Sequence, residues 1–232
     1  MDKTKINSKI LTDVPTLIFL HIPKTAGRTF YNILIRQFSP SEILRMEHLF
    51  NKDSSIKYQP VHQFFNPFLQ KYAINYLKKI PDEQKIRIKC ITQGHLAFGL
   101  HAYFPQRVSY ITFLRNPVDR VISQYYYLRR RPNNPFYYLV KGKDLREYIN
   151  NEEISDQISN VQVRFLCGED GIPKQGKLSE EDLKLAKERL KKYFTFVGTT
   201  KKFDESLICL KKCLAGEMFF IIKATSPRTA LL

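Results

Sequence analysis

Apolar residues fill nearly every position from Leu17 to Ile22, and the run breaks at Pro23 and Lys24. A loop of small residues with one glycine follows, and TFYNILIRQF then mixes apolar and polar positions. A short apolar run bounded by turn residues predicts a strand, here Thr16–His21, and the mixed pattern predicts a helix over Thr29–Phe38. Stretches rich in β-branched and aromatic residues predict further strands at Ile86–Thr92, Val108–Leu114 and Phe194–Thr199. Helical patterns cover Pro117–Arg130 and Ser179–Tyr193, the latter opening with Ser179 and Asp182 at capping-box spacing. Asp204 is placed to start a last helix through Cys213. Strands separated by helices rather than by hairpin turns predict an α/β fold, a central parallel sheet flanked by helices. Glu42–Gln84 carries many aromatics and several prolines without clean periodicity, which predicts irregular helices and loops covering a site or binding an acceptor.

With 232 residues, no internal repeat and no Gly/Ser linker, the chain is expected to form one domain over 1–232. Residues 1–15 are expected to be flexible, and 211–232 are expected to form an atypical or truncated end. The first apolar run is too short for a secretory core or a bilayer span, so a soluble, cytoplasmic protein is expected. Cys90, Cys167, Cys209 and Cys213 form no CxxC pair and have no histidine at metal-ligand spacing, which fits reduced thiols. The net charge of +16 favours polyanionic partners such as nucleic acid, a membrane surface, an acidic glycan or a multiply charged nucleotide. Much of that charge lies on ordinary helical faces such as LKLAKERLKKY, so charge alone selects none of them.

The segment HIPKTAGRTF sits where an open α/β sheet binds ligands, between the carboxyl end of a strand and a helix. Helix-start N–H groups lack internal partners and suit phosphate or sulfate. Ala26 and Gly27 permit close backbone approach, Lys24 adds a charge, and Thr25 and Thr29 add hydroxyls. The order is not GxxxxGK[ST], and no strand runs into an aspartate that would hold magnesium, which weakens a metal-dependent phosphoryl-transfer reading. In FLRNPVDRVISQYYYL, Arg115 leaves the third strand and Ser123 lies about two turns into the next helix, so both could share one further phosphate.

Together these two segments resemble the carbohydrate sulfotransferases of the heparan sulfate 2-O-sulfotransferase type, sulfotransferase family 2. FVGTTKKFDESL resembles a later segment of the same enzymes, and the likeness runs from about Thr16 to Leu210. The resemblance implies a P-loop-like sulfotransferase fold and transfer of a sulfuryl group from 3′-phosphoadenosine 5′-phosphosulfate (PAPS) to a carbohydrate hydroxyl without a metal. It implies that Lys24 contacts the phosphosulfate with a catalytic role, that Thr25, Ala26, Gly27, Arg28 and Thr29 line the cradle, and that Arg115 and Ser123 bind the 3′-phosphate. The Gly-His of CITQGHLAFGLH resembles the signature whose histidine is the base, which assigns that role to His95; Gln93 replaces a histidine of the relative.

His101 and His48 are reserves for the base, and His21 is expected to support the loop. Tyr125, Tyr126 and Tyr127 fit either sugar stacking or core packing, and Arg129, Arg130 and Arg131 either an acidic acceptor or solvent. Relatives continue past Leu210 through a basic loop closing on the nucleotide, of which Ser226, Pro227 and Arg228 could be a remnant. Two other readings stay open: a nucleotide-dependent phosphotransferase, marked by magnesium dependence, and a noncatalytic polyanion-binding protein, marked by salt-sensitive binding in which Lys24 counts no more than other lysines.

Overall fold

The computed structural model describes residues 15–46, 67–92, 96–134, 136–152, 155–169 and 172–214. In chain order its elements are β1 (Thr16–Leu20), α1 (Gly27–Leu34), β2 (Ile43–Arg45), α2 (Pro67–Lys79), α3 (Asp82–Lys85), β3 (Cys90–Thr92), β4 (Val108–Leu114) and α4 (Pro117–Arg129). They continue with α5 (Leu145–Ile149), α6 (Ser155–Ile158), α7 (Val161–Leu166), α8 (Glu180–Tyr193), β5 (Phe194–Thr199) and α9 (Phe203–Leu214). All strand pairings are parallel, in the order β2-β3-β1-β4-β5. This is the α/β sheet expected from strands alternating with helices.

β1 is buried at every position because both sheet faces are covered. Ile18 and Leu20 join Ile91 and Tyr110 against α2 and α7, while Leu17 and Phe19 join Ile111, Phe113 and Phe196 against α1 and α9. A separate cluster, built on Tyr125, Leu128, Phe136, Leu139, Tyr148 and Ile158, contains no strand residue. α4 and α5 thus have a core of their own, and a wall forms that the sheet does not supply.

Several boundaries differ from expectation. β3 begins only at Cys90, because Ile86 takes helical backbone angles as the C-cap of α3. α1 starts at Gly27 and ends at Leu34, earlier than its sequence pattern at both ends. Within Glu42–Gln84, β2 is a three-residue strand too short to show alternation, and α2 is a regular helix rather than an irregular one. Residues 47–66 and 215–232 lie outside the described residues, as do the expectations placed on them.

β5 lies close against β4, and a Cβ on Gly198 would come within 2.4 Å of the Phe113 ring. Gly198→Ala is therefore expected to destabilise the chain by about 1–3 kcal/mol through overpacking. Urea unfolding would check this; unchanged stability would show that Phe113 gives way freely.

Candidate functional site

β1 and β4 are adjacent and in parallel register, with Leu20 opposite Thr112 and the Thr112 hydroxyl donating to the Leu20 carbonyl at 2.8 Å. The chains leaving these strands emerge side by side, which brings Arg115 Nη1 to 3.4 Å from the Lys24 carbonyl oxygen. Arg115 is clamped by Gln162 of α7. The Gln162 Oε1 accepts from the Arg115 amide at 2.8 Å, and its Nε2 donates to the Arg115 carbonyl at 2.8 Å. Sequence reasoning missed Gln162, and no local signal marks it, since the contact spans 47 residues.

The loop after β1 is held in an uncommon conformation. Lys24 and Ala26 have φ of 71° and 62°, the left-handed region that side chains other than glycine enter at a cost of roughly 1–2 kcal/mol each. Thr25 is 1% exposed and donates its hydroxyl proton to the Ile22 carbonyl at 2.8 Å. That hydroxyl staples the turn. Gly27 is required by contact: a Cβ there would lie 1.8 Å from Cδ2 and 2.1 Å from Nε2 of His21.

α1 opens at Gly27 with no side-chain cap and no acidic residue in its first turn. By contrast, Asn116 caps α4 by accepting from the Val118 and Asp119 amides at 2.9 and 3.2 Å, and Asp144 and Ser179 form capping boxes on α5 and α8. The first-turn N–H groups of α1 therefore remain at the positive end of the helix dipole without an anionic partner from its own cap.

Cations crowd this open end. Burial first, then Arg115, Arg130, Arg131 and Arg28, lower the Lys24 ammonium from 10.5 to about 8. Lys24 Nζ lies 4.0 Å from the centroid of the Tyr127 ring, and the Arg131 guanidinium lies 4.5 Å from the same ring. Two cavities flank the loop. The larger, about 890 Å³, is bounded by Ala26, Arg115, Asp119, Thr199, Lys201 and Lys202. The smaller, about 280 Å³, lies between the loop and the α4–α5 wall, with Lys24, Gly27, Arg28 and Thr29 on the loop side. Ser123 sits half-buried on α4 and lines neither.

His95 lies outside the described residues, as do Gln93, His48 and Ser226 to Arg228. His101 packs with Phe98, Tyr110 and Tyr193, its Nδ1 3.1 Å from the Tyr110 hydroxyl. Burial, then Arg189, lowers its pKa. Tyr110 pairs with Ile18 in mid-strand, so His101 belongs to the packed face and lines neither cavity. His21 lines the smaller cavity and stacks on Phe19. The three consecutive tyrosines divide: Tyr125 is buried and donates to the Lys143 carbonyl, Tyr126 is half exposed, and Tyr127 faces Lys24.

A family model described as galactose-3-O-sulfotransferase matches residues 6–225. The chain is also 25% identical over 231 residues to heparan sulfate 2-O-sulfotransferase hst-2 of Caenorhabditis elegans, covering 89% of this chain and 64% of that protein. The chain thus spans a little under two thirds of the length of that relative. These matches correct the cytoplasmic placement, because the carbohydrate sulfotransferases concerned are Golgi-resident. The expectation rested on a short apolar run, and a short run assigns no compartment. No described helix is long and apolar enough to cross a membrane.

Two outcomes are expected from the loop. Gly27→Ala would drive His21 out of place or distort the turn, so its thermal midpoint should fall, and an unchanged midpoint would contradict the packing described. Folding lowers the Lys24 pKa from 10.5 to about 8, so the unfolded chain binds more protons between those values. The Lys24 contribution thus makes stability rise as pH climbs from about 8 toward 10.5, and Lys24→Met should flatten that rise in urea titrations at stepped pH.

Proposed function

The chain belongs to the galactose-3-O-sulfotransferase family, and on that premise we propose that it transfers a sulfuryl group from PAPS to a carbohydrate hydroxyl. One observation carries the reading: a helix start with no side-chain cap and no acidic residue in its first turn, beside which Lys24, Arg28, Arg115, Arg130 and Arg131 gather. Like charges held together this way raise the energy of the empty site and favour a multiply charged anion. The larger cavity, with Arg115, Lys201 and Lys202 on its walls, is roomy enough for a nucleotide.

The donor supplies the sulfuryl group and a phosphate as leaving group. On this chain Lys24 Nζ would hold the phosphosulfate oxygens, with the N–H groups of Gly27, Arg28 and Thr29 donating beside it. Thr25 and Ala26 would shape the cradle through the turn they form. Arg115, its backbone held by Gln162, would direct its guanidinium to the 3′-phosphate, whereas Ser123 lines neither cavity and is given no contact. Cationic and N–H donors placed where negative charge grows on the leaving phosphate stabilise the transition state. His95 would accept the acceptor hydroxyl's proton on an imidazole nitrogen as the oxygen bonds to sulfur.

Calorimetric titration with 3′-phosphoadenosine 5′-phosphate, without magnesium and against ATP as comparison, tests this reading. Lys24→Ala and Arg115→Ala should each weaken binding at least about tenfold, as loss of a charge-assisted contact implies. His95→Ala should spare binding and remove turnover. At pH 8.5 the wild type should take up a proton on binding, seen as a buffer-dependent enthalpy, because the anion restores the Lys24 charge. A preference for ATP, or equal loss of affinity in all three variants, would sink the assignment.

A further inference from the structure

The smaller cavity has a second wall that the donor loop does not explain. Gln124, Tyr127, Asn134 and Phe136 stand on it, and Tyr148 closes it from below. Gln124 is 3% exposed, and its Oε1 accepts from Nη1 of the buried Arg120 at 2.8 Å. A guanidinium only donates, so the carboxamide orientation is set and the Nε2 group is left to donate toward the cavity. Asn134 is oriented in the same way: its Oδ1 accepts from the Phe136 amide at 2.9 Å, leaving Nδ2 to donate.

Tyr148 is fully buried, and its hydroxyl makes no hydrogen bond. Burial raises its pKa to about 12, so the group stays a neutral O–H. A buried hydroxyl without a partner costs folding stability, and phenylalanine would fill the same space without that cost. Such a group is accounted for when a ligand completes it.

We propose that this wall is the acceptor subsite, in which Gln124, Asn134 and Tyr148 read the non-reacting hydroxyls of an uncharged sugar ring. The inference rests on the sulfotransfer reading above and deepens it. The named groups of this wall are neutral, and the cations Lys24 and Arg28 stand on the loop side, where the donor's own charge neutralises them. Phe136 supplies an aromatic surface against which the carbon-bound face of a pyranose packs, while the Tyr127 ring is held by Lys24 and Arg131. The volume of about 280 Å³ is at the small end for ligand cavities and suits one ring rather than an extended chain. Hydrogen-bonding groups buried this way also reject analogues that lack the matching hydroxyl, since the site is then left unpaired.

The test uses the full chain saturated with 3′-phosphoadenosine 5′-phosphate, with methyl β-galactoside as the uncharged probe and methyl β-glucuronide as the charged one, followed by saturation-transfer NMR titration. The galactoside should bind more tightly than the glucuronide. Tyr148→Phe and Asn134→Ser should each weaken it about tenfold while nucleotide affinity stays at the wild-type value. Asn134→Ser keeps an oxygen that can accept from the Phe136 amide and removes the Nδ2 donor without adding charge. The thermal midpoint of Tyr148→Phe should equal or exceed that of the wild type, which separates a ligand-reading hydroxyl from a structural one. Unchanged galactoside affinity in both variants, a preference for the glucuronide, or loss of nucleotide affinity in step with the sugar would overturn the subsite. Failure of the wild type to bind the nucleotide at all would instead overturn the sulfotransfer reading itself, and the subsite with it.

Discussion

The parallel pairing of β1 with β4 is the constraint on which the candidate site depends. These strands carry the two segments that matter, and they lie about ninety residues apart in sequence (Thr16 opposite Val108). Because their carboxyl ends are level, the turn at Lys24 and the side chain of Arg115 meet without either loop having to reach. The strand order β2-β3-β1-β4-β5 makes this the place where connections diverge to opposite sides of β1, and such crevices bind ligands in open α/β sheets. Gln162 then removes the remaining freedom of Arg115 by holding both its amide and its carbonyl.

What surrounds that junction is costly to folding, and the costs share one direction. Two residues other than glycine sit at positive φ, a helix begins without a cap, and five cations gather around one loop. The Tyr148 hydroxyl goes unbonded a short way beneath. By contrast α4, α5 and α8 have side-chain caps and β1 is buried along its whole length. Strain and unsatisfied groups gathered around one loop are characteristic of a site whose stability is completed by what it binds, although Asn160 also sits at positive φ and Gln106 Oε1 is also buried without a partner elsewhere.

Much of this was legible in the chain. The continuous apolar run of β1, the capping box before α8 and Pro117 at the start of α4 are local signals, and each element formed where its pattern placed it to within a few residues. The junction was legible too as strand, loop and helix, and the structure has that order, from β1 through the turn to α1. Less legible were β2, whose three residues are too few to display a period, and the α4–α5 core, whose aromatics in YYY serve three different purposes. Thr25 looked like a ligand donor by residue type, yet its proton goes to the Ile22 carbonyl, a choice made by the turn.

The sequence by itself determined the α/β class, the strand–loop–helix junction after β1 and the excess of basic residues. These follow from short-range periodicity, backbone sterics and charge, which neighbouring residues decide among themselves. Only the tertiary structure decided that Gln162 clamps Arg115, that Tyr127 lies against Lys24, and that Arg130 and Arg131 add to the field there. It also decided that Tyr148 ends unpaired beneath a cavity. Those facts depend on which distant surfaces pack together, and packing joins residues that no local pattern relates.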